Sequence, residues 1–366
     1  VVVTVSAAAA ESKSIPRSPR IAATCTSIRK AQSSRGTTRR IVVAEVAVAA
    51  MEAAEVAALA AVGRVPAVVV MLAIGILGPY LGAGIAMIFG AQVLDWTSQM
   101  DNVIIFPLIG EIAPWQLTFI AVGLPGILIA GLFLTIREPQ RKIQESESIE
   151  VPSFSKVIQY IKNNWEVYGA IIIGNSCLII LLYGLQSWVP TMLLRVYEWD
   201  LVQSGRVYGS IAMLAGSAGV LSGPFVLKYM SKINVNAPHF KLAIFGISMA
   251  SLSLVLLPFQ PNVNIALVFV TMASFFVTLP LAGTSSAMVI VSPNRIRGVI
   301  TGIYVVVTSV FGLVLGPFLV ASSTDFIFQD TNAVAKSLAL VSVLVGPVGI
   351  FFMFKGINSF GEIKNV

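Results

Sequence analysis

Charged residues are scarce in this 366-residue sequence. Asp, Glu, Lys and Arg make up 11% of it, against about 25% in soluble domains. Apolar residues make up 56%, so a soluble fold would have too little polar surface to stay in solution. The apolar residues also come in runs of about 20, the length that crosses a hydrocarbon core about 30 Å thick. The composition therefore predicts an all-α, polytopic membrane protein.

Cysteine and histidine are nearly absent. The two cysteines, Cys25 and Cys177, indicate neither a disulfide framework nor a metal-ligand cluster. The single histidine, His239, lies in a short basic segment beside Lys241, where we expect it to be solvated. Because no set of nucleophile, base and metal ligands converges, a membrane enzyme is the weakest interpretation. We expect no cofactor and no nucleic-acid partner, since the net charge of +7 does not lie on a soluble basic domain.

Eight membrane spans are predicted from Pro66 onward, at about 66–92, 114–136, 167–190, 206–228, 240–258, 263–290, 298–321 and 335–355. Their connections alternate in charge: one set carries twelve Lys and Arg residues and the other carries three. The positive-inside rule places the richer set in the cytoplasm. Since eight spans bring both ends to one side, the sequence predicts an integral protein of the inner or plasma membrane with both termini cytoplasmic.

Composition divides the chain into four parts. Residues 1–64 are predicted to be disordered or non-native, with an optional Ala-rich helix at 41–63. A transit peptide is the alternative for this segment, because the stretch to Arg40 is rich in Arg and Ser and poor in acids. Residues 65–136 hold two spans, residues 137–166 form a charged cytoplasmic loop, and residues 167–366 hold six spans.

Small residues and prolines mark where the spans pack and bend. The first span carries a row of small residues that includes Gly82, and the fourth carries a row that includes Gly216. Because glycine permits close backbone approach in lipid, we expect these two rows to pack together, with Gly82 and Gly216 in the contact. Proline interrupts spans and favours broken helices; the residues are Pro79, Pro125, Pro224, Pro280, Pro317 and Pro347.

Uncharged polar side chains inside the spans are the candidate substrate-binding residues. They are Asn175, Tyr183, Gln186, Ser274, Thr278 and Tyr304. The alternatives are bonds from Ser and Thr to the preceding helical turn and bonds between helices for the amides. No Asp, Glu, Lys or Arg lies near the middle of a predicted span. Proton relays and ion sites in membranes usually need such a group, so the sequence indicates none.

Three segments resemble a known family. Residues 114–142 contain Gly123-Leu124-Pro125-Gly126 and Arg137-Glu138-Pro139. Residues 186–206 contain Trp188, Pro190, Arg195 and Gly205, and residues 293–325 contain Arg297, Gly298, Gly312, Gly316, Pro317 and Asp325. These segments are similar to the sixth, seventh and eleventh helices of the major facilitator superfamily, and the first is typical of its spinster-like and organic-anion branches.

The resemblance extends over about 66–366 and implies a partial major facilitator fold. The eight spans correspond to the fifth through twelfth helices of that family, so the first four are expected to be absent from this sequence. The implied function is secondary active transport of a small organic solute by alternating access, with organic anions as one candidate class and symport as the expected mode. The alternative is a truncated remnant that does not transport. The expected partners are a small-molecule substrate and the lipid bilayer, and the oligomeric state is left open.

Overall fold

The computed structural model describes residues 67–99, 104–106, 110–112, scattered residues between 116 and 135, 154–293 and 295–364. The described residues all belong to one compact unit, Val62–Val366. Three predicted features lie wholly or almost wholly outside them: the N-terminal segment 1–64, most of the charged loop 137–166, and the span at 114–136.

Seven helices in the described part are long and apolar enough to cross a membrane. They are Val69–Thr97, Trp165–Val196, Leu201–Lys232, Pro238–Phe259, Val263–Val291, Arg297–Phe328 and Val334–Ile357. Each overlaps one predicted span, which confirms seven of the eight predictions and the all-α membrane class.

The individual elements follow in chain order. They are α1 (Ala67–Ser98), β1 (Ile104–Phe106), β2 (Gly110–Ile112), α2 (Phe154–Asn163), α3 (Trp165–Val196), α4 (Leu201–Ile211), α5 (Ser217–Lys232), α6 (Pro238–Leu256), α7 (Val263–Thr278), α8 (Leu281–Val291), α9 (Arg297–Ser322) and α10 (Val334–Lys364). Side-chain caps begin two of the helices: Asp200 accepts a hydrogen bond from the Gln203 amide at α4, and Asn262 accepts one from the Asn264 amide at α7. Such caps satisfy backbone donors that a helix leaves unpaired in its first turn.

A short antiparallel pair of strands follows α1. Ile104 pairs with Ile112 and Phe106 pairs with Gly110. This pair lies in a connection that the sequence predicted only as a loop, so the described part is nearly, rather than wholly, helical.

One span is broken at a proline. Helix α7 ends at Thr278 and α8 begins at Leu281, because Pro280 has no amide hydrogen to donate to the turn before it. Gly246 of α6 lets that helix approach the break: a Cβ there would lie 2.7 Å from the Phe276 carbonyl oxygen. The expectation of broken helices is thus confirmed at this position. Four other prolines, Pro79, Pro224, Pro317 and Pro347, lie inside helices, and Pro125 lies outside the described residues.

A second irregularity joins α4 to α5. The five residues Ala212–Gly216 form a π-helical turn within the span Leu201–Lys232. Turns of this kind insert one extra residue into a helix and occur frequently at functional sites. This turn faces α1 and α7, the helices that carry the candidate site described below.

Glycine brings α1 against α4, as predicted for the first and fourth spans. A Cβ at Gly84 would lie 2.7 Å from the Gly209 carbonyl oxygen, and a Cβ at Gly209 would lie 3.1 Å from the Gly84 carbonyl oxygen. Farther along, a Cβ at Gly205 would lie 3.1 Å from Ala91 Cβ. The two backbones therefore touch in the way that small residues permit in membranes.

The expected position of Gly82 in this contact is wrong. No atom of the described residues lies within 4 Å of a Cβ built at Gly82, and the same is true of Gly75, Gly78 and Gly90 on the same helix. Gly84, which was not in the predicted row, makes the contact instead. Gly216 does lie in the interface, where a Cβ would be 3.1 Å from Cδ1 of Tyr80.

Candidate functional site

Three consecutive residues of α8 each reach a different helix. Thr284 Oγ1 lies 2.7 Å from Oδ1 of Asn175 on α3. Ser285 Oγ lies 3.2 Å from the Tyr304 hydroxyl on α9, and Ser286 Oγ lies 3.3 Å from Nδ1 of His239 on α6. We call this cluster the α8 hub. It follows directly on the proline break, so the shortened helix is tied to three neighbours.

The α8 hub contains two of the sequence-predicted site residues. Asn175 is 2% exposed and Tyr304 is 4% exposed, and both have polar partners within the protein. Hydrogen bonds between membrane helices are worth about 0.6 kcal/mol on average. In this structure the Asn175 side-chain oxygen and the Tyr304 hydroxyl therefore contribute to helix packing, and a role of these residues in substrate binding stays a prediction.

His239 was expected in a solvated segment, and the structure places it differently. It is the second residue of α6 and is half-buried. Its Nδ1 lies 3.1 Å from the carbonyl oxygen of Gly283 on α8. The imidazole thus links α6 to α8.

Thr278 and Ser274, two further predicted residues, lie on α7 where it meets the π-helical turn. Thr278 Oγ1 lies 3.0 Å from the Gly216 carbonyl oxygen and 3.0 Å from the Ser274 carbonyl oxygen. Its hydroxyl is therefore occupied by backbone acceptors. Ser274 differs, because its buried Oγ meets no backbone acceptor. Its polar neighbour is the Tyr208 hydroxyl of α4.

Tyr183 and Gln186 are half-buried on α3. The Tyr183 ring lies against α9, where a Cβ at Gly312 would be 3.2 Å from Tyr183 Cδ2. Neither side chain makes a hydrogen bond to another described residue. Among the described residues, no hydrogen bond joins Gln186 to the other candidate residues. Its role in substrate binding stays a prediction.

Two tyrosines that sequence reasoning missed complete the group. Tyr80 of α1 is 7% exposed, Tyr208 is 1% exposed, and Tyr80 lies near both Tyr183 and Tyr208. We call Tyr80, Tyr183, Tyr208 and Ser274 the interfacial site, because α1 supplies one member and the helices after residue 164 supply the rest. A tyrosine deep inside an apolar run is a signal that could have pointed to Tyr80.

The interfacial site is polar but carries no charge. Its functional groups are three phenol hydroxyls and one aliphatic hydroxyl, which can donate and accept hydrogen bonds. Tyrosine rings also offer apolar area to an organic molecule. No group of three or more His, Cys, Asp and Glu that could hold a metal occurs among the described residues.

Comparison with known proteins agrees with this architecture. The family model described as Major Facilitator Superfamily matches residues 41–317. No curated protein matches the chain.

Two solved structures are similar in fold. One is a crystal structure of a bacterial homologue of the human lysosomal transporter Spinster, inward-facing and unoccupied; it is 18% identical, with a TM-score of 0.52, over 80% of this chain and 68% of that one. The other is described as the same homologue in an inward-facing, occupied conformation, at 18% identity, a TM-score of 0.49, and coverage of 80% and 67%. The first likeness supports the fold. Since the family model matches well over half of the sequence and the helical architecture agrees with it, the chain belongs to the major facilitator superfamily.

Proposed function

We propose that this protein carries a small organic solute across a membrane by alternating access, and that the solute contacts the interfacial site. Membership of a transporter superfamily supports membrane transport, and secondary transporters place their sites near the bilayer midplane between two moving parts. Here α1 would move against the six spans from Trp165 to Ile357. Transport rather than catalysis is the activity proposed.

The observation that carries the proposal is the cluster of buried hydroxyls at the interfacial site. Ser274 Oγ meets no backbone acceptor and has the Tyr208 hydroxyl as its polar neighbour. Buried polar groups that are not fully satisfied cost about 1–3 kcal/mol. A solute that accepts or donates a hydrogen bond there would satisfy the remaining capacity of these hydroxyls.

The chemistry of the interfacial site suggests what kind of solute it would take. Hydroxyls can bind the oxygens of alcohols, amides and carboxylates, and bonds to a carboxylate are the stronger ones. Organic anions therefore remain within the proposed class, alongside neutral polar solutes. We also propose that the chain belongs to the spinster-like branch, that it lies in the inner or plasma membrane, and that its termini are cytoplasmic.

Uptake by proteoliposomes tests this proposal. The purified chain is reconstituted and exposed to a mixture of organic acids, sugars and amino acids, and the retained solutes are measured by mass spectrometry. We expect at least one solute to be retained above the level of protein-free liposomes, and Ser274→Ala and Tyr183→Phe to reduce its uptake. Ser222→Ala is the matched control, because the Ser222 hydroxyl is exposed and bonds only to its own helix at the Ala218 carbonyl oxygen, 2.6 Å away.

Two results would contradict the proposal. Equal uptake by the parent and by both site variants would show that the solute does not depend on the interfacial site. Retention of no solute class would favour the alternative, in which this chain does not transport.

A further inference from the structure

Helix α1 is held against its neighbours at both ends, by contacts of different chemistry. Near its first turn, Val69 is fully buried and packs with Leu227 on α5, Leu242 on α6 and Leu279 in the break between α7 and α8. Near its last turn, Asp95 Oδ2 lies 2.7 Å from an Nη2 of Arg206 on α4. One end of the contact is therefore apolar and the other is ionic.

Water reaches the ionic end. The side chains of Arg206 and Asp95 are 42% and 37% exposed, and a cavity of about 570 Å³ opens beside them. Asp200 and Gln203 also line that cavity, but Asp200 caps α4 through its bond to the Gln203 amide. A charge pair that water can reach adds little to stability and breaks at modest cost.

Small residues surround the ion pair where α1 and α4 touch. Ala91 lies one helical turn before Asp95, and Gly205 lies one residue before Arg206. A Cβ at Gly205 would lie 3.1 Å from that of Ala91. Because small residues make this part of the contact, we expect that the ends of the two helices can separate once the charges part.

We propose that the Asp95–Arg206 ion pair is a latch that keeps this end of α1 closed against α4. An interaction that exists in only one of two conformations shifts the population towards that conformation. The pair therefore favours the closed end, and breaking it favours the open one. The role of the latch in transport rests on the proposed function. The latch itself concerns only the separation of α1 from α4.

A disulfide between the two helices measures that separation directly. Cysteines are introduced as Ala91→Cys and Gly205→Cys in a chain with Cys25→Ser and Cys177→Ala, and the rate of oxidative cross-linking is followed in liposomes. A disulfide needs Cβ atoms about 3.5–4.5 Å apart. The closed end, with the two Cβ positions 3.1 Å apart, reaches this distance after a shift of a few tenths of an ångström, whereas separated helix ends exceed it. The yield of folded protein is checked for every variant by size-exclusion chromatography.

Charge substitutions then test the latch. We expect Asp95→Asn and Arg206→Gln each to slow cross-linking about two- to five-fold, the range for a partly exposed pair. The exchanged pair, Asp95→Arg with Arg206→Asp, should restore the rate to within about two-fold of the parent. Asp200→Asn is the control and should leave the rate unchanged, because the amide oxygen still caps α4.

The latch is overturned if both single variants cross-link at the parent rate. It is also overturned if the exchanged pair stays as slow as the single variants, since the effect would then not depend on charge pairing. The cross-linking rate needs no substrate. If it responds as expected while no solute is taken up, the latch stands and the transport proposal fails.

Discussion

Substituting Gly84 by alanine tests the contact between α1 and α4 with a single methyl group. A Cβ at position 84 would lie 2.7 Å from the Gly209 carbonyl oxygen and 2.9 Å from Met213 Cα. Both are backbone atoms, so the overlap is relieved only if the two helices move apart. At Gly82, two residues earlier on the same helix, an added Cβ meets no atom of the described residues within 4 Å. Gly82→Ala is therefore the matched control.

The magnitude follows from comparing the two variants. Replacing glycine by alanine raises helix propensity by about 1 kcal/mol at either position, so that contribution cancels in the comparison. Overpacking a close contact costs about 1–3 kcal/mol. We expect the free energy of unfolding of Gly84→Ala to be lower than that of Gly82→Ala by about 1–3 kcal/mol. The free energy of unfolding of Gly82→Ala should be at least as high as that of the parent.

Unfolding in mixed micelles with increasing denaturing detergent measures this difference, with helical circular dichroism as the readout. Equal stability of the two variants would refute the contact at Gly84. Greater loss at Gly82 would mean that the opposite face of α1 makes the contact.

Three further predictions concern topology, the α8 hub and energy coupling. Cysteines introduced at Ser98 and Ser148 should react differently with an impermeant reagent in intact cells: labelling at position 98 alone fits cytoplasmic termini, and labelling at 148 alone contradicts them. Thr284→Val should lower stability by about 1–3 kcal/mol, because it leaves the buried Asn175 amide unpaired, and adding Asn175→Leu should recover part of the loss; an additive second loss would contradict this. Finally, no acidic residue lies in the middle of a described span, so uptake into proteoliposomes should not increase under an imposed pH gradient, and gradient-driven accumulation would show a coupling residue elsewhere.

Membrane spans were the part of the fold that the sequence predicted best. Their signal is a run of apolar residues long enough to cross the bilayer, and it does not depend on neighbours. The strands at Ile104–Phe106 and Gly110–Ile112 carry no comparable signal, because three-residue strands are too short for an alternating pattern. The π-helical turn at Ala212–Gly216 likewise has no marker that separates it from ordinary helix.

The face by which α1 contacts α4 could not be predicted. Both sides of this helix are apolar and both carry glycine, so neither periodicity nor composition separates Gly84 from Gly82. Only the neighbouring helix decides which glycine is needed. Position 84 is close to Gly209, whereas position 82 faces away from the described helices.

The residues of the candidate site could likewise be predicted only in part. Polar residue types inside apolar spans pointed to Asn175, Ser274 and Tyr304, and all three are buried. Their hydrogen-bond partners could not be predicted from the sequence. Thr284, for example, lies 109 residues from Asn175 and is brought close only by packing. Tyr80 was missed since its significance depends on the helices that surround it.

In the proposed function, a solute passes between α1 and the helices packed against it as the two ends of α1 open in turn. The most direct test is uptake of a retained solute by liposomes that contain the Ala91→Cys/Gly205→Cys variant, measured before oxidation, after oxidation and after reduction. We expect the disulfide to stop uptake and its reduction to restore uptake. Uptake at an unchanged rate in fully cross-linked protein would show that transport does not need the helices to separate at this end.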